Sequence, residues 1–222
     1  MTQSRFEDLG ISKDVLKAVR SVGWSEPTPV QAAAIPVGLE GADLLAQAQT
    51  GTGKTGTFGS IILSRTKSGS SDPTSLVLVP TRELASQVSE EMERLSEYSG
   101  HVCIPIYGGV NIETQAKQLK KGADAVIATP GRLKDLIERK MIKLDSVEIV
   151  VLDEAARMLD MGSGTAIGVP LMTYNRRAGA RNLTLWPLPG WMKGRPGRSG
   201  WRISGQGRPL RRVAPAMPSK CA

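Results

Sequence analysis

The chain is poor in the residues that build metal centres and disulfide scaffolds: among 222 residues it has two cysteines, Cys103 and Cys221, and one histidine, His101. The cysteines have no metal-ligand spacing and support no disulfide framework, and His101 alone is expected at the surface rather than in a catalytic role. No apolar run approaches the roughly eighteen residues of a membrane span. The N-terminal Met1-Thr-Gln-Ser-Arg-Phe-Glu-Asp lacks the apolar stretch of a secretory signal, so a cytoplasmic location is expected. Acids are missing from the last part of the chain. All 21 Asp and Glu lie in residues 1–162 beside 18 of the 29 Lys and Arg, a net −3, whereas residues 163–222 hold the other 11 and no acid. The basic character therefore belongs to the C-terminal segment, and overall charge says nothing about what the first 162 residues bind. With 40% apolar residues, the chain has enough material for one large domain with a real core.

One stretch carries recognisable chemistry, Ala48-Gln-Thr-Gly-Thr-Gly-Lys-Thr55. The preceding Asp43–Ala48 reads as a short buried strand, Gly51 and Gly53 permit a tight turn, and Lys54-Thr55 open a helix. Inward-pointing N–H groups across Thr50, Gly51, Thr52 and Gly53, at a helix N-terminus, form a cradle for the β-phosphate of a nucleotide. Lys54 then reaches the β- and γ-phosphates, and the Thr55 hydroxyl ligates Mg²⁺. The full G-x-x-x-x-G-K-T pattern is not met, because its first glycine is missing.

Before the cradle, Ser12 is placed to cap a helix through Val15, Leu16 and Val19 that ends at Gly23. Pro27 and Pro29 hold the following loop extended, and Gln31 opens a second helix. A loop glutamine is more often simply solvated. Beside a phosphate cradle its amide suits the N6 and N7 edge of adenine, and Phe6 or Trp24 could stack on the ring.

After the cradle, Leu76–Val79, Val102–Tyr107, Ala125–Ala128 and Val147–Leu152 read as strands, and helical patterns separate them. Alternating strands and helices predict a parallel, doubly wound sheet whose ligands sit beyond the strand carboxyl ends. Pro80-Thr81-Arg82, Gly108-Gly109 and Thr129-Pro130-Gly131-Arg132 all fall at such ends, where hydroxyls, glycine N–H groups and guanidiniums suit a nucleic-acid backbone. Asp153-Glu154 end the last apolar strand. Two acids at that place in a chain with a phosphate cradle read as a Mg²⁺ site, with Asp153 holding the metal and Glu154 orienting the attacking water.

Over residues 4–162 the sequence resembles the first of the two RecA-like domains of DEAD-box ATP-dependent RNA helicases. Phe6 with Gly23–Gln31 resembles that family's adenine-reading Q motif, and Ala48–Thr55 matches its A-x-T-G-x-G-K-T motif, which accounts for the missing first glycine. Pro80–Ala85, Gly108-Gly109 and Thr129–Arg132 match its RNA-facing motifs. The resemblance implies a RecA-like P-loop NTPase fold, ATP and Mg²⁺ as ligands, RNA as partner and a monomer. It implies catalytic roles for Lys54, Asp153 and Glu154.

The departures are as informative. The family's Asp-Glu-Ala-Asp is here Asp153-Glu-Ala-Ala156, which removes the residue linking the nucleotide site to the second domain. Ser163 replaces a usual aromatic, and no Ser-Ala-Thr follows Arg181–Leu185. That segment is nevertheless expected to form a strand between the cradle strand and the Asp153 strand, because the sheet would otherwise have a gap at its centre. The expected organisation is a Q-motif region over 1–40, a RecA-like domain over 41–185 and a disordered Arg/Gly/Pro-rich tail over 186–222. The tail fits either an RNA-binding segment with Trp191 and Trp201 as stacking platforms or a shifted reading frame. In the family the arginine finger comes from the second domain, so the resemblance implies nucleotide and RNA binding without strand separation. The alternatives are a non-enzymatic RNA-binding protein acting through the tail, and a truncated product without function.

Overall fold

The computed structural model of the chain describes residues 5–46, 51–160, 181–185 and 211–213. A 3-10 turn, Phe6–Leu9, leads into α1 (Lys13–Ser21), whose first turn is capped by Ser12 through Val15 N–H at 3.4 Å. The helix buries Val15, Ala18 and Val19 and stops at Gly23, where φ is +79°. In α2 (Pro29–Leu39) proline stands in the first turn and Gln31 is its third residue. Thr28 and Gln31 form a reciprocal capping box, so this helix begins two residues earlier than expected.

Strands and helices then alternate: β1 (Leu44–Ala46), α3 (Lys54–Arg65), β2 (Ser75–Leu78), α4 (Arg82–Leu95), β3 (Cys103–Ile106), α5 (Ile112–Leu119), β4 (Ala125–Ala128), α6 (Pro130–Glu138), β5 (Ile149–Leu152), α7 (Ala155–Asp160), β6 (Arg181–Leu185) and β7 (Arg211–Val213). The seven strands form one parallel sheet in the order β3-β4-β2-β5-β6-β1-β7. Strands buried on both faces explain why these segments read as unbroken apolar runs. Val77, Ile127 and Val151 point into the core that also holds Phe58, Ile61, Met92 and Leu95 of α3 and α4. Their neighbours Leu76, Leu78, Val126 and Val150 point to the other face, against Leu133 and Leu136 of α6.

β6 lies between β5 and β1, pairing Leu152 with Thr184 on one side and Ala46 with Leu185 on the other. The strand demanded by sheet continuity is therefore present without a recognisable motif after it. β7 falls inside the segment expected to lack structure: Arg211–Val213 pairs with Leu44–Ala46 and completes the ladder of β1. The other residues of the 186–222 segment, with Trp191 and Trp201, and Ser163 lie outside the described residues.

His101 is a correction. It is buried, its Nε2 facing the Thr66 carbonyl and hydroxyl and its Nδ1 the Ser99 hydroxyl, so it ties the end of α3 to the approach of β3. The nearby Asp124 is also buried and accepts from Ser70 N–H and Val102 N–H, each at 2.8 Å.

Candidate nucleotide cavity and nucleic-acid rim

A cavity of about 780 Å³ opens at the carboxyl end of the sheet, between the loop 22–28, the glycine turn, the Asp153-Glu154 pair and one face of α4. Gly53 sits at the N-cap of α3 with φ +87°, and a Cβ there would come within 2.7 Å of Gln31 Nε2. Both the backbone angle and the space therefore require glycine. Its carbonyl accepts from Thr57 N–H, the Thr57 hydroxyl and Gln31 Nε2, the last at 3.3 Å. Gln31 Oε1 accepts from Thr28 N–H at 2.8 Å. The Gln31 amide is thus oriented from both ends, with one lone pair and one N–H left over.

Gly51, Gly53, Lys54, Thr55, Trp24 and Gln31 all line this cavity. Thr52 does not, and Thr50 lies outside the described residues. Phe6 is only 2% exposed and does not reach the cavity; its ring stacks on Trp24 with centroids 6.2 Å apart. The half-buried Trp24 is the aromatic that lines it.

β5 delivers Asp153, whose N–H bonds the Leu78 carbonyl at 2.9 Å in continuation of the sheet. The side chain is 4% exposed and its Oδ1 has no hydrogen-bond partner. Burial pushes the Asp153 carboxyl up to about 6; Lys54 pulls it down, Glu154 raises it and the Glu154 N–H lowers it. A buried carboxylate oxygen without a partner, lining the same wall as a lysine and a threonine hydroxyl, has the chemistry of a hard-cation ligand. Glu154 adopts φ +51°, the left-handed region that non-glycine residues avoid, and its carboxylate accepts from Arg157 at 3.3 Å.

The sequence reading missed the α4 wall. Leu84, Gln87, Val88, Glu91 and Arg94 recur at three- and four-residue spacing and face the cavity. That periodicity was visible, but the polar members look like a solvated face. Glu91 is held above the usual carboxylate range, chiefly by burial, with the Arg94 guanidinium opposing.

The three strand-end clusters form a rim. Pro80 is buried, and Thr81 caps α4 through Leu84 N–H at 3.2 Å. Arg82 is exposed, pairs with Glu83 at 2.6 Å and stands 3.5 Å from where a Cβ on Gly109 would lie. Gly108 and Gly109 are exposed. Thr129 caps α6 without a side-chain bond, Pro130 opens that helix and Gly131 is exposed. Arg132 is not a loose cation: Nη1 donates to Gln115 Oε1 at 2.8 Å and Nη2 to the Val110 carbonyl at 2.9 Å.

Residues 28–174 match the DEAD/DEAH box helicase family. The chain belongs to that family. This DEAD/DEAH box domain is 48% identical over 160 residues to the ATP-dependent RNA helicase CshA of Listeria monocytogenes, covering 72% of the chain and 31% of that protein. The DEAD-box ATP-dependent RNA helicase CshA of Bacillus subtilis is 45% identical over 157 residues, covering 71% and 32%. The domain thus spans about a third of the length of these curated relatives. Among solved structures, a DEAD box protein from the hyperthermophile Methanococcus jannaschii superposes with a TM-score of 0.77 at 34% identity, over 85% of this chain and 52% of that one. A hypothetical ATP-dependent RNA helicase from Sulfolobus tokodaii gives 0.71 at 34% identity, over 80% and 50%. The parallel sheet expected from the alternation of elements, RecA-like as the resemblance implies, is the fold of these relatives.

Proposed function

We propose that the chain is the ATP- and RNA-binding first domain of an ATP-dependent RNA helicase. The carrying observation is Asp153 Oδ1, buried and without a partner, in the cavity that the glycine turn, Lys54 and Thr55 also line. The remaining lone pair and N–H of Gln31 read the adenine edge, and Trp24, backed by Phe6, supplies the stacking face. The N–H groups at the start of α3 and the Lys54 ammonium take the phosphates. Thr55 and Asp153 would hold Mg²⁺, which when bound neutralises charge on the β- and γ-phosphates.

Glu154 orients a water for in-line attack. As the water oxygen bonds to the γ-phosphorus, the bond to the β–γ bridging oxygen breaks, the electron pair leaves with ADP and the water proton passes to Glu154. Its left-handed backbone is the kind of strain that accumulates at working positions. The rim of Thr81, Arg82, Gly108, Gly109, Thr129 and Gly131 takes a single-stranded RNA backbone, and Arg132 braces it.

Ala156 stands where the family's fourth acid couples this site to a second domain, so the chain binds nucleotide and RNA but does not separate strands alone. Among the described residues Val102 and Val110 are the exposed large apolar side chains, which favours a monomer. None of the described helices is long and apolar enough to cross a membrane, and the proposed place of work is the cytoplasm.

A titration of the purified chain with a fluorescent ATP analogue and Mg²⁺, beside Lys54→Ala, tests the reading. Saturable binding lost in the variant supports it. Equal binding by both proteins, or binding by neither, overturns it.

A further inference from the structure

Gln115, on α5, is a deeply buried polar side chain that the nucleotide cavity does not use, being 4% exposed. Both ends of its amide are spent on the rim. Nε2 donates to the Tyr107 carbonyl at 3.3 Å, and Oε1 accepts from Arg132 Nη1 at 2.8 Å. Arg132, on α6, then donates Nη2 to the Val110 carbonyl at 2.9 Å. The Gly108-Gly109 pair is therefore gripped at the carbonyl before it and the carbonyl after it, and both grips pass through elements outside the loop. Two adjacent glycines lose more backbone freedom on ordering than any other pair, and an interface that is already ordered binds at lower cost.

The requirement is specific to an amide. The guanidinium needs an acceptor and the carbonyl needs a donor; glutamate could serve only the first and lysine only the second. Because the amide is buried, each unmade bond would leave a polar group without water.

We propose that Gln115 is a positioning residue of the nucleic-acid rim, locking the Gly108-Gly109 loop and Arg132 into one preorganised surface for a single-stranded RNA backbone. The proposal rests on the RNA reading above for its ligand, and on the hydrogen bonds alone for its mechanics. Arg132 serves the rim by holding this loop, so disturbing Gln115 weakens RNA binding without removing a phosphate contact.

The test uses the whole chain with Gln115→Met, which removes both bonds at similar volume, and Gln115→Glu, which keeps the acceptor for Arg132 and loses the donor to Tyr107. Backbone hydrogen exchange over residues 107–111 and 129–132 is measured, with affinity for a fluorescent oligouridylate at several salt concentrations. Both variants should exchange faster at 108–111, and Gln115→Met also at 129–132. Gln115→Met should bind RNA roughly tenfold more weakly. Its salt slope should match the wild type, whereas loss of a phosphate contact would reduce the slope by about 0.7. Unchanged exchange at 108–111, or a reduced salt slope, overturns the proposal. If Gln115→Met does not fold, Gln115→Glu decides by the same exchange pattern. A wild-type chain that binds no oligouridylate overturns the RNA reading, and exchange alone then decides whether Gln115 orders the loop.

Discussion

The Trp24 indole lies so close to α3 that a Cβ added to Gly56 would stand 2.5 Å from its ring, closer than real Cβ contacts come. The same Cβ would meet Gln31 Nε2 at 2.8 Å. A glycine in the first turn of α3 thus lets both residues proposed for the adenine close over it.

Gly56→Ala sets two effects against each other. Alanine in a helix gains up to about 1 kcal/mol over glycine. Overpacking against a rigid ring that Phe6 supports from behind costs about 1–3 kcal/mol. The second should win: the denaturant midpoint falls, and the ATP analogue binds more weakly because Trp24 and Gln31 are displaced together. A more stable variant with unchanged nucleotide affinity would show that the indole does not rest on this helix.

Glu154 occupies left-handed backbone at φ +51°. Glu154→Gly should raise stability by about 1 kcal/mol, because the bond given up to the exposed Arg157 contributes little. Chemical denaturation at neutral pH reads this directly, and a loss of stability would mean that the conformation carries no strain.

Burial holds the folded-state Asp153 carboxyl at about 6, against 3.8 for an ordinary aspartate. Between these the native state holds a proton that the unfolded chain has released, so stability declines as pH rises through this window, by up to about 3 kcal/mol, and is level above it. Asp153→Asn should flatten that slope and make the nucleotide-free chain more stable at pH 8. Protonation also removes a cation ligand, so Mg²⁺-dependent nucleotide binding should weaken as pH drops below about 6. Urea melts across pH 4–8, in wild type and variant, check the sign.

β7 completes the ladder of β1, the strand that leads into the cradle. Ending the chain at residue 210 leaves the outer edge of β1 without its partner. A loss of about 1–3 kcal/mol is expected from the missing ladder bonds, accompanied by weaker nucleotide binding. Equal melts for the full and shortened chains would show that the basic segment contributes nothing to the sheet.

Much of the architecture was legible locally. Unbroken apolar runs of four residues announced strands with two buried faces, and the glycines at 51 and 53 with Lys54 announced a phosphate turn, because turn chemistry is short-range. β6 was legible indirectly, through the backbone groups that a missing central strand would strand without partners. β7 was not, since two arginines and a valine carry no strand pattern; pairing with β1 is what orders them.

The site divides along the same line. Gln31, Lys54, Asp153 and the rim glycines could be picked out because their residue types are unusual at strand ends and helix starts. Their sequence determined the chemistry proposed for them: phosphate-binding N–H groups, a cation ligand, a general base and an RNA-facing rim. Only the tertiary structure decided that Phe6 packs on Trp24, that α4 walls the cavity with Glu91, and that Gln115 grips Arg132 and Tyr107. Those relationships join separate elements of the chain, and no local period or turn preference records which face of a helix another element will cover. Hydrogen bonds and burial across the packed elements set them, and these exist only once the sheet has closed.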